Sequence, residues 1–384
     1  MHDLRTRMHD LRTVRYAVSS AFYAHRSEFP IKGFSHIEFW AGNAYQSAQF
    51  FRALMGYRIV GYQGPETGVR DRVSYALEQN DVRFIISGAL SPDHEITEHV
   101  RAHGPGVRDV AIAVPDAEAA FSMAVANGAE PAMKPELVSG RGTDSRVAAI
   151  HAYGDTVHSL VESNGVWPPP DFRVWQDTVA RPAGFTRIDH VVGNVGLGEM
   201  DEWVDFYERV FGFVLLRHFD DEAISTEYSA LMSKVVWDGQ GVIKLPINEP
   251  AEGKRKSQIE EYLDFYGSAG VQHIAVACDD LVETVRDVTS RGLMTMQVPD
   301  SYYDELLDRI PDLDADLAEL HHLNILADED DGGHLLQIFT RMLQDRPTVF
   351  FEFIERRGAI GFGEGNFKAL FEAIERDQAA RGNL

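Results

Sequence analysis

One local pattern occurs four times along this chain, and repetition of that kind constrains the architecture before any single residue is weighed. Phe34-Ser35-His36-Ile37-Glu38-Phe39 opens a strand. A run with apolar residues at helical spacing follows over 45–56, stopped by Gly56, and then a second strand over 57–62. Ile188-Asp189-His190-Val191-Val192 opens the same succession, with a helix predicted over 203–212 and a strand over 213–216. A second pair of echoes is clearer. Gly106-Val107-Arg108-Asp109-Val110-Ala111 matches Gly270-Val271-Gln272-His273-Ile274-Ala275. Both lead into acidic helix starts, Pro115-Asp116 and Asp279-Asp280, and both helices stop at glycine, Gly128 and Gly292. The unit is one strand, one helix and about three further strands. Proline-rich residues 166–173 and the pair Arg181-Pro182 separate two copies from two. The expected domains are therefore 29–165 and 185–384, with 166–184 as linker. The hexapeptide Met1-His2-Asp3-Leu4-Arg5-Thr6 recurs from Met8 to Thr13, so 1–28 is read as a tail, with at most a short helix over 16–23.

Composition narrows the partners. Apolar residues are 44% and charged residues 25% of the 384, as in soluble globular chains. Sixty acidic against 36 basic residues give a net charge of −24, which repels nucleic acid and anionic membrane surfaces. No apolar run is long enough to span a bilayer, and the N-terminus lacks a secretory pattern. The lone cysteine, Cys278, excludes an intramolecular disulfide and fits a reducing, cytoplasmic location; its apolar strand marks it as inert core.

A fourfold strand-helix-strand unit resembles the vicinal-oxygen-chelate superfamily. That resemblance implies an α+β fold in which four βαβββ units form two half-barrels, one of them around a metal. The candidate ligands sit where the repeat points. His190 and His273 occupy apolar first strands of the third and fourth units. Glu352 lies in the apolar run Val349-Phe350-Phe351-Glu352-Phe353-Ile354, where a charge is costly unless paired or metal-bound. Glu355 is the competing carboxylate, but strand alternation puts it on the opposite face. Two histidines and one carboxylate leave coordination positions open, the arrangement of non-haem Fe(II) oxygenases. In the first half His36 matches His190, but Asp109 stands where His273 does, and no matching glutamate strand is evident. That half is expected to hold no metal, to serve as scaffold or subunit interface, and to keep His36 as a satisfied core residue.

Several ordered blocks are more specific. They include Leu245-Pro246-Ile247-Asn248-Glu249-Pro250, Gly270-Val271-Gln272-His273, Leu335-Leu336-Gln337-Ile338-Phe339-Thr340, Asp345 to Glu352, and Gly361 to Leu370. Together they resemble the 4-hydroxyphenylpyruvate dioxygenase family. The resemblance implies Fe(II) on His190, His273 and Glu352, with 4-hydroxyphenylpyruvate and O2 as substrates and homogentisate as product. It implies a substrate ring between Phe339 and Phe367, and a polar lining of Ser233, Asn248, Gln258, Gln272 and Gln337. Phe350, Phe362 and Asn366 would complete the wall. It also implies a homodimer or homotetramer. The alternative is a 4-hydroxymandelate synthase, with the same substrate and iron but benzylic hydroxylation. That enzyme tends to lack the counterparts of Asn248 and Phe367, both present here. A ring-cleaving extradiol dioxygenase would lack Asn248, Gln258 and Phe367 together, and a non-catalytic binding protein would lack a complete triad. Finally, Phe367, Leu370, Phe371 and Ile374 define an amphipathic helix over 366–381. Gly361, Gly363 and Gly365 precede it without the lysine of a phosphate loop, and are read as hinges of a lid over the site.

Overall fold

The computed structural model describes residues 27–219, 231–251, 256–330 and 332–382. Most of the expected tail, including the helix expected over 16–23, lies outside the described residues. Of its end, Ser27 is already packed, its hydroxyl donating to Phe211 O.

The first unit is β1 (Gly33–Trp40), α1 (Ala44–Leu54), β2 (Arg58–Gln63), β3 (Arg72–Gln79) and β4 (Val82–Ala89). Helix α2 (Glu95–His103) leads to the second: β5 (Gly106–Ala113), α3 (Ala117–Ala126), β6 (Pro131–Gly140), β7 (Thr143–His151) and β8 (Val157–Glu162). The linker adds a short strand, β9 (Arg173–Val174), to the edge at β2. The third unit is β10 (Phe185–Asn194), α4 (Met200–Phe211), β11 (Val214–Phe219), β12 (Leu231–Trp237) and β13 (Lys244–Pro250). Helix α5 (Gln258–Tyr266) precedes the fourth, β14 (Gly270–Cys278) and α6 (Leu281–Ser290). Short helices α7 (Asp300–Asp304), α8 (Leu306–Arg309) and α9 (Leu317–Leu323) are inserted before β15 (Leu326–Asp330), β16 (Gly333–Phe339) and β17 (Phe350–Arg357). Helix α10 (Phe367–Arg381) closes the described chain.

The strands form two curled sheets, ordered β6-β7-β8-β5-β1-β4-β3-β2-β9 and β11-β12-β13-β10-β14-β17-β16-β15. In every unit the first strand pairs parallel with the last, and the two first strands of each half pair antiparallel. The repeat extends to its caps. Asp116 and Asp280 accept from the third backbone N–H of α3 and α6. Glu162 and Glu355 accept from the first, at Ala117 and Leu281. Helix α4 starts at Met200, three residues before the sequence pattern indicated, because Glu249 accepts from Gly198 and Met200 N–H groups and anchors that turn. One buried core joins the halves. Phe351, on the face of β17 opposite Glu352, has ring neighbours Phe39, Phe51 and Phe84 at 5.7–6.4 Å. The first half therefore backs the second sheet and leaves its other face to build a pocket.

Candidate active site

Sheet register brings the three predicted ligands together. His190 on β10 pairs with Ala275 on β14, and Ala275 pairs with Glu352 on β17. Cross-strand partners share a face, and His273, two residues before Ala275, shares it too. The donor atoms of His190, His273 and Glu352 lie within 4.8 Å of one another, and all three residues are buried. Glu352 Oε2 is 3.1 Å from His190 Nε2 and 3.5 Å from His273 Nε2. Glu355 faces away, engaged with Leu281 N and Arg357.

The residue before each histidine fixes its ring. His190 Nδ1 donates to Asp189 Oδ2 at 2.9 Å, and His273 Nδ1 donates to Gln272 Oε1 at 2.9 Å. With Nδ1 donating to its neighbour, Nε2 of each ring faces the carboxylate and is the nitrogen left to bind a metal. A divalent cation between the two Nε2 atoms and the carboxylate would be held by all three. The donor set, two imidazoles and a carboxylate, fits a divalent transition metal. Burial works against the charge on Glu352, but His190 and His273 outweigh it and hold its carboxyl at about 2. Burial likewise opposes protonation of His190, yet Glu352 and Asp189 hold its pKa above the ordinary imidazole value. For His273 burial prevails and the shift is downward.

Behind the triad is a network that sequence reading missed. Arg356 grips Asp189 with two nitrogens at 2.9 and 2.7 Å, and Lys244 Nζ lies 3.7 Å away. Burial opposes the charge on Asp189, but Arg356 and Lys244 keep its pKa well below the carboxylate range. Arg356 Nη1 also donates to Gly361 O at 2.6 Å. The next residue, Phe362, sets its ring against His190 at 5.0 Å. The Asp-His dipeptide was visible in the sequence, whereas an arginine partner 167 positions away was not.

The triad lines a pocket between the second sheet and α10. Ser233, Asn248, Gln258, Gln272, Gln337, Phe339, Phe350, Phe362 and Phe367 all line it. Ser233 and Asn248 are cross-strand partners, and Gln258 is the first residue of α5, whose Ser257–Glu260 capping box sets the chain there. Gln337 Oε1 is buried with no hydrogen-bond partner among the described residues. Phe350 stacks on His273 at 4.9 Å. Leu370 and Phe371 of the expected lid helix line the pocket too, and unforeseen apolar wall residues are Val192, Leu231, Val235 and Pro246.

Asn366 is the exception. It is fully buried but outside the pocket wall, its Oδ1 bonded to Tyr302 OH at 2.6 Å. It ends the tight turn Glu364–Asn366 ahead of α10 and so points at the inserted helices. The hinge glycines also read differently in space. Only Gly363 takes a left-handed φ, +74°. A Cβ on Gly361 would lie 1.7 Å from Asp330 Oδ2, and one on Gly365 2.5 Å from Asp328 Oδ1, so these two are sites of close approach.

The equivalent positions of the first half carry a different set of side chains. By register the counterparts of His190, His273 and Glu352 are His36, Asp109 and Ser159, the last unnoticed in the sequence. Ser35 hydrogen-bonds His36 Nδ1, Trp167 lies against its ring at 5.5 Å, and burial lowers its pKa to about 3. Asp109 accepts from Ser159 N, and burial raises its pKa to about 7. One imidazole beside a reluctant carboxylate is not a metal site.

Comparison with known proteins gives consistent results. The family description "Glyoxalase/Bleomycin resistance protein/Dioxygenase superfamily" matches residues 187–338, and "Hydroxyphenylpyruvate dioxygenase, HPPD, N-terminal" matches 26–165. The 4-hydroxyphenylpyruvate dioxygenase of Aspergillus fumigatus is 42% identical over 92% of this chain and 94% of its own length. That of Xenopus tropicalis is 43% identical over 91% and 92%. Among solved structures, a mutant 4-hydroxymandelate synthase from Streptomyces coelicolor superposes with a TM-score of 0.83 at 32% identity, covering 91% of this chain and 99% of that one.

Proposed function

The chain belongs to the 4-hydroxyphenylpyruvate dioxygenase family, and from this we propose that it converts 4-hydroxyphenylpyruvate and O2 to homogentisate and CO2, with a ferrous ion on His190, His273 and Glu352. It is an oxidoreductase of the dioxygenase class. The single observation that supports the ligand assignment is the meeting of two Nε2 atoms and one carboxylate on the wall of an aromatic pocket. Such an ion, held on one face, supplies open positions for the 2-oxo acid and O2 and the redox chemistry that joins them.

The remaining work falls to the protein. Asp189 and Gln272 hold both imidazoles in the metal-binding tautomer. Phe339 and Phe367 flank the substrate ring, where favourable aromatic contacts add about 0.5–1.5 kcal/mol each beyond burial. Ser233, Asn248, Gln258 and Gln337 offer neutral groups to the phenol, and the unpartnered Gln337 Oε1 supports that role. Leu370 and Phe371 of α10 exclude water from the reacting face. The balance closes: the substrate carboxylate leaves as CO2, both atoms of O2 stay in the product, and the side chain moves to the neighbouring ring carbon. The first half, with its dismantled donor set, serves as scaffold.

The second reading, benzylic hydroxylation to 4-hydroxymandelate, draws on the synthase superposition. Asn248 and Phe367 on the pocket wall favour attack on the ring. The test is anaerobic loading with Fe(II) and 4-hydroxyphenylpyruvate, exposure to air, and product identification by mass and retention. Homogentisate is expected, 4-hydroxymandelate selects the second reading, and no consumption of substrate overturns both. Glu352→Ala is expected to abolish turnover and weaken iron retention; full activity refutes the ligand assignment.

A further inference from the structure

A second set of metal-ligating side chains lies outside the pocket, where the two halves meet. His99 and His103 stand one turn apart on α2, so both imidazoles leave the same helix face. They are 3% and 7% exposed. Asp155, in the turn between β7 and β8, faces them, with Oδ2 3.3 Å from His99 Nδ1 and 3.0 Å from His103 Nε2. The three donor atoms lie within 4.8 Å of one another, and these spacings resemble the 3.1 and 3.5 Å of the pocket triad.

The hydrogen bonding sets which ring nitrogens face the carboxylate. His103 Nδ1 lies 2.5 Å from Tyr266 O, at the end of α5, and a carbonyl only accepts, so Nδ1 carries the proton. His103 Nε2 is then the ring nitrogen that faces Asp155 Oδ2. His99 turns Nδ1 to Asp155, and its Nε2 is buried without a hydrogen-bond partner among the described residues. Asp155 is half exposed, which leaves one side open to water.

We propose that His99, His103 and Asp155 hold a divalent transition-metal cation of the zinc class, completed by water, at the junction of α2, the β7–β8 turn and α5. Two imidazoles from one helix turn, a carboxylate from elsewhere in the fold and a carbonyl behind one imidazole make the donor set of a tetrahedral site. All three ligands belong to the first half, so the ion would tie α2 to the β7–β8 turn, with Tyr266 O of the second half behind His103, independent of the pocket.

The experiment strips the full chain of metal, dialyses it against Zn(II) and measures bound zinc per chain. Two equivalents are expected for the wild type. One is expected for His103→Ala and for Asp155→Ala, the latter altering an exposed turn that the core does not depend on. One is also expected for Glu352→Ala, which loses the pocket ion, and none for Glu352→Ala combined with Asp155→Ala. Zinc should raise the melting temperature of Glu352→Ala and leave the double variant unchanged. Failure of Glu352→Ala to bind any zinc overturns the proposal while leaving the pocket reading untouched. So does retention of the same zinc content by Asp155→Ala as by the wild type.

Discussion

His190 takes its orientation from a carboxylate that two cations hold in place. Asp189 is buried between His190, Arg356 and Lys244, so no partner has water as a substitute. Asp189→Asn keeps the size and removes the charge. Metal affinity is expected to fall roughly 10- to 100-fold, the usual cost of losing a carboxylate behind a ligating histidine. Folding stability should fall by about 3–5 kcal/mol, because Arg356 and Lys244 lose their buried counter-charge. Competition against a chelator and chemical denaturation measure the two effects; unchanged metal affinity would show that His190 needs no such support. At this scale the sequence was readable where a residue's neighbours in the chain are also its neighbours in space. His190 and Asp189 qualify. Arg356, Ser159 and the outward turn of Asn366 depend on register and on an inserted segment, and no local pattern announces them.

Helix α10 supplies Phe367, Leu370 and Phe371 to the pocket, yet none of the three triad residues. Its far end is tied down by Arg381, which reaches Glu261 on α5 with two nitrogens at 3.2 and 2.6 Å. Apolar periodicity made this helix legible. The glycines before it were legible only as glycines: two of the three admit the side chains of Asp328 and Asp330, a close approach that only the folded chain reveals. Removal of residues 366–384 is expected to reduce turnover at least roughly 100-fold, since an open pocket neither orients substrate nor excludes water. Metal content should stay at the wild-type level, because β10, β14 and β17 carry the ligands. Loss of metal together with activity would assign α10 a part in building the triad.

The assembly of the two halves was the least legible level. The repeat predicts four units and, by their pairing, two sheets, but it does not say which faces meet. That depends on residues such as Phe351 and His158, whose partners belong to the other half. His158 on β8 is fully buried, donates from Nδ1 to Val110 O and accepts at Nε2 from Tyr207 OH on α4, both at 2.8 Å. Burial lowers its pKa to about 4 from 6.5, against a smaller upward pull from the Val110 carbonyl. The sign follows by linkage. Between about 6.5 and 4 the unfolded chain binds a proton that the folded chain refuses, so this stability is complete above 6.5 and is lost as the pH falls toward 4. His36, lowered to about 3, adds a contribution of the same sign. His158→Gln keeps a polar partner for Tyr207 and removes one titrating group. It should cost about 1–3 kcal/mol at neutral pH. It should also reduce the acid-limb slope by up to about 1.4 kcal/mol per pH unit relative to the wild type. Denaturation curves at half-unit steps from pH 7.5 to 4 test this, and parallel curves for wild type and variant would mean that His158 is already protonated at the interface.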